Sequence, residues 1–120
     1  MNTEDRNDAD RVGLSESSRV ILEELVSDRY FKDNMSAYRM AFSFAIYNNI
    51  DISEHSVYRP QGHMYLISQI DPRGHIANVI KELYPSLGKE VYRSLEKFAD
   101  LGLPQLQKAL ESNKSIAFWN

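Results

Sequence analysis

Residues 35 to 47 place Tyr38, Ala41, Phe42, Phe44, Ala45 and Ile46 at helical spacing, and these apolar groups wrap more than half of the helix they define. A helix that is apolar over so wide an arc must be covered on two sides. The cover is either the middle of a single domain or a second copy of the chain, and the second copy is the favoured reading.

The neighbouring segments supply the rest of a helical fold. Arg11-Val12-Gly13-Leu14-Ser15 alternates, with Val12 and Leu14 on one side, which predicts a short strand. Ser15 is a candidate N-cap, Glu16 beside it suits the positive end of a helix, and Val20, Ile21, Leu22, Leu25 and Val26 predict an amphipathic helix to about Asp28. Phe31 to Asn34 breaks that pattern and offers an Asx residue to cap the second helix, which should stop near Asn48-Asn49. The stretch 51–69 is irregular and is the expected functional loop, with one short strand at Met64-Tyr65-Leu66-Ile67. A third helix is expected to open at Asp71-Pro72 and end at Pro85. A fourth, carrying Val91, Leu95, Phe98 and Ala99, should close at Gly102, and Pro104 should open a short fifth with Leu106 and Leu110. The fold class expected is mainly α, with a strand and two helices in the N-terminal half and three helices in the C-terminal half. Residues 1–10 are read as a flexible tail, and residues 11–120 as a single helical domain.

Composition narrows the function classes. With 42% hydrophobic and 26% charged residues the chain has the balance of an ordinary globular protein, and it contains no apolar run of the roughly 18 residues that a spanning helix needs. The acidic, polar N-terminus does not read as a secretory signal, so a cytoplasmic location and no membrane partner are expected. Cysteine is absent, which removes disulfides, thiolate metal ligands and cysteine nucleophiles. The net charge of −3 argues against a surface that grips nucleic acid everywhere, because phosphate binding needs an excess of Lys and Arg. A local basic patch is compatible with it.

Three histidines (His55, His63, His75) and the carboxylates Asp51, Glu54 and Asp71 lie in or beside the central loop, but no His-x-x-His, His-x-x-x-His or Glu-x-x-His spacing sets two ligands on one helix face. Solvated loop histidines are the simpler reading, and no metal or cofactor is expected. Glycine-rich phosphate loops and a Gly-x-Ser-x-Gly elbow are missing as well, so the chain reads as a non-enzyme. A hydrolase built on His55, His63 and Asp71 is the outlying alternative.

Two basic features remain. Lys89, Arg93 and Lys97 share one helix face at i, i+4 and i+8, although Glu90, Glu96 and Asp100 on the same helix should partly neutralise them. Arg29, Lys32 and Arg39 gather around the start of the second helix, where free amides and the helix dipole favour an anion such as phosphate. Most aromatics sit at core spacing; Tyr58 and Tyr65 in the loop are the exceptions, and Ile116, Phe118 and Trp119 form an apolar tail expected to dock on the body of the chain or on a partner.

The order of short strand, capped helix, brief turn and very apolar second helix over residues 11–49 resembles the ribbon-helix-helix pattern, on Arg11 to Ser15, Val20 to Val26 and Ser36-Ala37-Tyr38-Arg39-Met40-Ala41. In length, N-terminal layout and helical C-terminal half the chain looks most like the DndE-type accessory proteins of bacterial DNA phosphorothioation and related phage-defence systems. The resemblance implies a homo-oligomer in which two chains pair their strands and interlock their second helices, with Tyr38, Phe42 and Phe44 at the interface. Among outward strand positions only Arg11 could read a base, since Gly13 has no side chain and Ser15 is needed as a cap. Contact with the DNA backbone through Arg11, Arg29, Lys32, Arg39, Lys89, Arg93 and Lys97, or with a larger modification or defence enzyme, is therefore expected over sequence-specific readout. A pure protein-interaction or scaffold module, antitoxin-like and without DNA binding, is the rival from another class.

Overall fold

A computed structural model of the chain describes residues 9–57 and 64–112. Its elements are β1 (Arg11–Gly13), α1 (Glu16–Ser27), α2 (Asn34–Tyr47), β2 (Met64–Leu66), α3 (Ile67–Ile70), α4 (His75–Leu83), a 3-10 turn at Pro85–Leu87, and α5 (Val91–Ser112). The fold is mainly helical with one short two-stranded antiparallel sheet, and α5 is the element on which α1, α2, α4 and β1 converge.

The packing of α2 on α5 is set by small residues. Ala37, Ala41 and Ala45 recur every fourth residue along the inner face of α2, and all three are fully buried. Opposite them stands Gly102, where a Cβ would lie 2.3 Å from the Ala41 carbonyl oxygen and 3.3 Å from the Ala45 methyl. The backbones approach too closely there for any side chain, which is why glycine occupies the site. Tyr38 and Phe42 flank the alanine ridge. The Phe42 ring meets Phe98 edge-on at 6.0 Å, and Phe98 in turn stacks obliquely against Tyr84 at 5.3 Å, tying α2, α5 and the end of α4 together.

The expectation of two helices divided at Gly102 and Pro104 is thus corrected to one helix, Val91–Ser112. Glycine here answers a steric demand of packing and not a left-handed helix end. Pro104 lies inside the helix, where its missing N–H strands the carbonyl of Asp100 one turn earlier. That carbonyl is not left bare: Ser18 of α1, itself buried, donates its hydroxyl to it at 2.8 Å. The proline penalty is offset by a tertiary hydrogen bond, and the freed acceptor pins α1 to α5.

β1 pairs with β2 of the same chain, Arg11 opposite Leu66, Val12 opposite Tyr65 and Gly13 opposite Met64. Its other side is closed too. The buried Gly13 amide donates to Glu96 Oε2 at 2.8 Å, and Tyr38 donates its hydroxyl to the Gly13 carbonyl at 2.9 Å. Glu96 and Asp100, expected to neutralise the basic stripe on the same helix, instead turn inward to satisfy β1 and the start of α1.

Other boundaries shift for identifiable reasons. Ser15 occupies the N-cap position of α1 but does not cap it, because its hydroxyl donates to the Asp100 carboxylate at 2.8 Å, a charged acceptor. Ile67 leaves the strand to begin α3. The helix expected to open at Asp71-Pro72 starts four residues later, with Gly74 at its N-cap position. The chain bends through Gly74 at φ +72°, the next helix opens at His75, and the two Asp71 oxygens accept from the Ile76 and Ala77 amides at 3.0 Å each.

The bond between Ser18 and the stranded carbonyl predicts a specific coupling. Ser18→Ala should cost about 1–2 kcal/mol in urea unfolding, since it leaves a buried acceptor unpaired. In a Pro104→Ala background, where the helix regains its own amide donor, the same change should cost about 1 kcal/mol less. Equal costs in the two backgrounds would show that the hydroxyl does not replace the missing amide.

Candidate interaction surface on the second helix

With one face of α2 committed to α5, the opposite face is fixed by helical geometry. Met40, Ser43, Phe44 and Tyr47 lie at i, i+3, i+4 and i+7 and line a groove of 570 Å3. Met40 and Phe44 are half-buried, leaning on the core at their base, whereas Tyr47 is 85% exposed. None of the described residues that line the groove is charged. The wide apolar arc read from the sequence therefore resolves into two stripes, one inside the domain and one facing outward.

Of the residues named for a partner interface, Tyr38 and Phe42 are 0% and 5% exposed and belong to the core of the single chain. Phe44 is the one that reaches the outer stripe. Met40 and Tyr47 were missed, although their spacing with Phe44 is visible in the sequence; the strength of the inner stripe masked a second, narrower one. Phe118, Trp119, Tyr58 and His63 lie outside the described residues. Tyr65 is half-buried and meets Tyr38 edge-on at 5.7 Å, and burial pushes its phenol above the ordinary tyrosine range.

The basic residues fall in separate places. Arg11 is exposed on β1, and Arg29 is exposed in the α1–α2 turn, where it takes a left-handed φ of +68°. Lys32 is exposed nearby, but the anion position at the start of α2 is already filled: Asp33 Oδ1 accepts from the Ser36 amide at 2.8 Å. The Ser36 bonds, with Lys32 and Arg39 adding their charges, hold this carboxyl below the usual aspartate range. Arg39 turns away from that turn and donates through Nη1 to the carbonyls of Gln69 and Ile70, both at 3.3 Å, closing the end of α3. The basic stripe expected on one helix face is shortened: Lys89 lies before α5, exposed in the turn that precedes it, and of the two residues on the helix Arg93 is exposed and Lys97 half-buried.

A polar cluster surrounds Asp100, which sequence reasoning treated only as a neutralising charge. Its Oδ1 accepts from the Ser15 amide and hydroxyl, and its Oδ2 lies 2.8 Å from His55 Nε2. Serine and histidine each engage the carboxylate and not one another, so the arrangement has no base poised on a nucleophile. It instead moors the segment after α2 to α5. No group of three or more potential metal ligands forms among the described residues, and no helix among them is long and apolar enough to cross a membrane. No family model, curated protein or solved structure matches the chain.

The capping carboxylate yields a signed pH prediction. A group whose folded pKa is depressed contributes stability that is present above its unfolded value, near 3.8, and lost as pH falls through the lower folded value. Amide exchange at Ser36, followed by NMR, should accelerate selectively below that range and not between neutral pH and 5. Acceleration already at pH 5 to 6 would mean that Asp33 does not hold the helix start.

Proposed function

We propose that the chain is a non-enzymatic, self-associating accessory subunit, joined to a second copy through the outer stripe of α2, and serving a bacterial DNA-modification or phage-defence complex. The observation that carries the self-association is the groove of Met40, Ser43, Phe44 and Tyr47. Its spacing is symmetric about the midpoint between Ser43 and Phe44. Two such helices related by a two-fold axis and running antiparallel would set Met40 against Tyr47 of the partner and Ser43 against Phe44 of the partner. Each pairing joins groups that fit, a thioether on an aromatic ring and a small residue beneath a large one. Burying an uncharged stripe also avoids the desolvation cost of ions.

The role in DNA modification is supported by the resemblance of residues 11–49 and by the order of strand, capped helix and apolar helix. The intrachain pairing of β1 with β2 favours α2, not a shared strand ribbon, as the contact between copies. One observation favours the scaffold alternative without DNA: Asp33 occupies the amides at the start of α2, the place where a backbone phosphate was expected. In that reading Arg29 and Lys32 meet acidic groups of a protein partner.

Light scattering behind a sizing column should give twice the mass of the chain at micromolar concentration. Phe44→Glu should shift the protein to monomer with unchanged helical circular dichroism, weakening association at least about 30-fold, as loss of an interface anchor worth about 2 kcal/mol requires. A wild-type monomer under those conditions would defeat the reading.

A further inference from the structure

At the junction of α2, α3 and α4 a pocket of 170 Å3 is lined by Arg39, Ile70, Asp71, Pro72, Arg73, His75 and Ile76. We propose that this pocket binds a phosphate group, held by Arg39, Arg73 and His75. Three nitrogen-bearing side chains reach it from two directions. Arg39 arrives from α2, while Arg73 and His75 flank Gly74, whose positive φ bends the loop so that both neighbours border the same space.

The donors are available. Arg39 is fixed through Nη1 alone by the carbonyls of Gln69 and Ile70, which orients its guanidinium while leaving further N–H groups of the planar fork for an anion. Neither Arg73 nor His75 engages a protein acceptor among the described residues, and both are exposed. The opposing charge is accounted for. Asp71 is the one carboxylate among the described lining residues; it is 6% exposed, Oδ1 accepts from the Ile76 amide, and Oδ2 accepts from the Ala77 amide and the Tyr92 hydroxyl. Its charge faces the positive end of α4, so it offsets the two guanidiniums only in part.

The size suits one anion. At about 30 Å3 per water the space equals about five or six waters, enough for a tetrahedral oxyanion with residual solvent. The same chemistry is offered by a nucleic-acid backbone phosphate and by a free phosphate. Self-association is not required for this site, so the two proposals fail separately.

NMR titration of the full chain with inorganic phosphate, and separately with a short DNA duplex, reads the His75 ring and the Arg73 and Arg39 side chains. Saturable shifts at all three are expected with at least one probe. Arg73→Gln should weaken the binding by about tenfold, as expected for one charge-assisted hydrogen bond, while Lys108→Gln, an equal charge change at an exposed site on α5, should alter it less than about twofold. Shifts with duplex identify a backbone phosphate as the ligand; shifts with inorganic phosphate alone identify a small phosphorylated ligand. Unmoved His75 resonances with both probes, or equal weakening by the two substitutions, would overturn the proposal.

Discussion

The close approach of α2 to α5 at Gly102 decides the remaining structure. Because the Ala41 carbonyl stands where a Cβ at Gly102 would sit, the two helices pack backbone to backbone, and the alanine ridge of α2 can face only α5. Tyr38 and Phe42 then fall into the core beside the ridge. Met40, Ser43, Phe44 and Tyr47 are turned outward by the same rotation, so the outer groove is a consequence of the inner seam.

Around that seam, α5 works as a polar anchor as well as an apolar one. Glu96 and Asp100 spend their charges on the amides of Gly13 and Ser15, and the carbonyl that Pro104 leaves without a donor accepts from Ser18. Three contacts on one turn-and-a-half of helix thus fix β1 and the start of α1. Buried carboxylates are tolerable there because their oxygens are paired with donors whose positions the fold already dictates. The consequence for function is that this acidic cluster is consumed internally, while the basic pocket beside α4 has donors to spare.

Much of the local structure was legible in the sequence. The apolar periodicity of 20–26 and 38–46 placed α1 and α2, alternation at Arg11 to Leu14 marked β1, and the break at Phe31 to Asn34 was identifiable as the source of an Asx cap, which is Asp33. What could not be read was tertiary in origin. Gly102 and Pro104 carry the local signals of a helix end and a helix start, and only the proximity of Ala41 and Ser18 converts them into parts of a continuous helix. Glu96 and Asp100 look like surface charges until β1 is known to lie against them. In the candidate sites, Arg39 was legible as a basic residue near a helix start, yet its grouping with Arg73 and His75 depends on a bend at Gly74 more than thirty residues away.

The central claim is that the outward stripe of α2 meets its own copy in antiparallel register. An isotope-filtered NOE experiment on an equimolar mixture of labelled and unlabelled chain tests it most directly, because only contacts between two molecules survive the filter. The account predicts cross-peaks from the Met40 methyl to the ring protons of Tyr47 on the other chain. Their absence, with diffusion at the rate of a single chain, would contradict it.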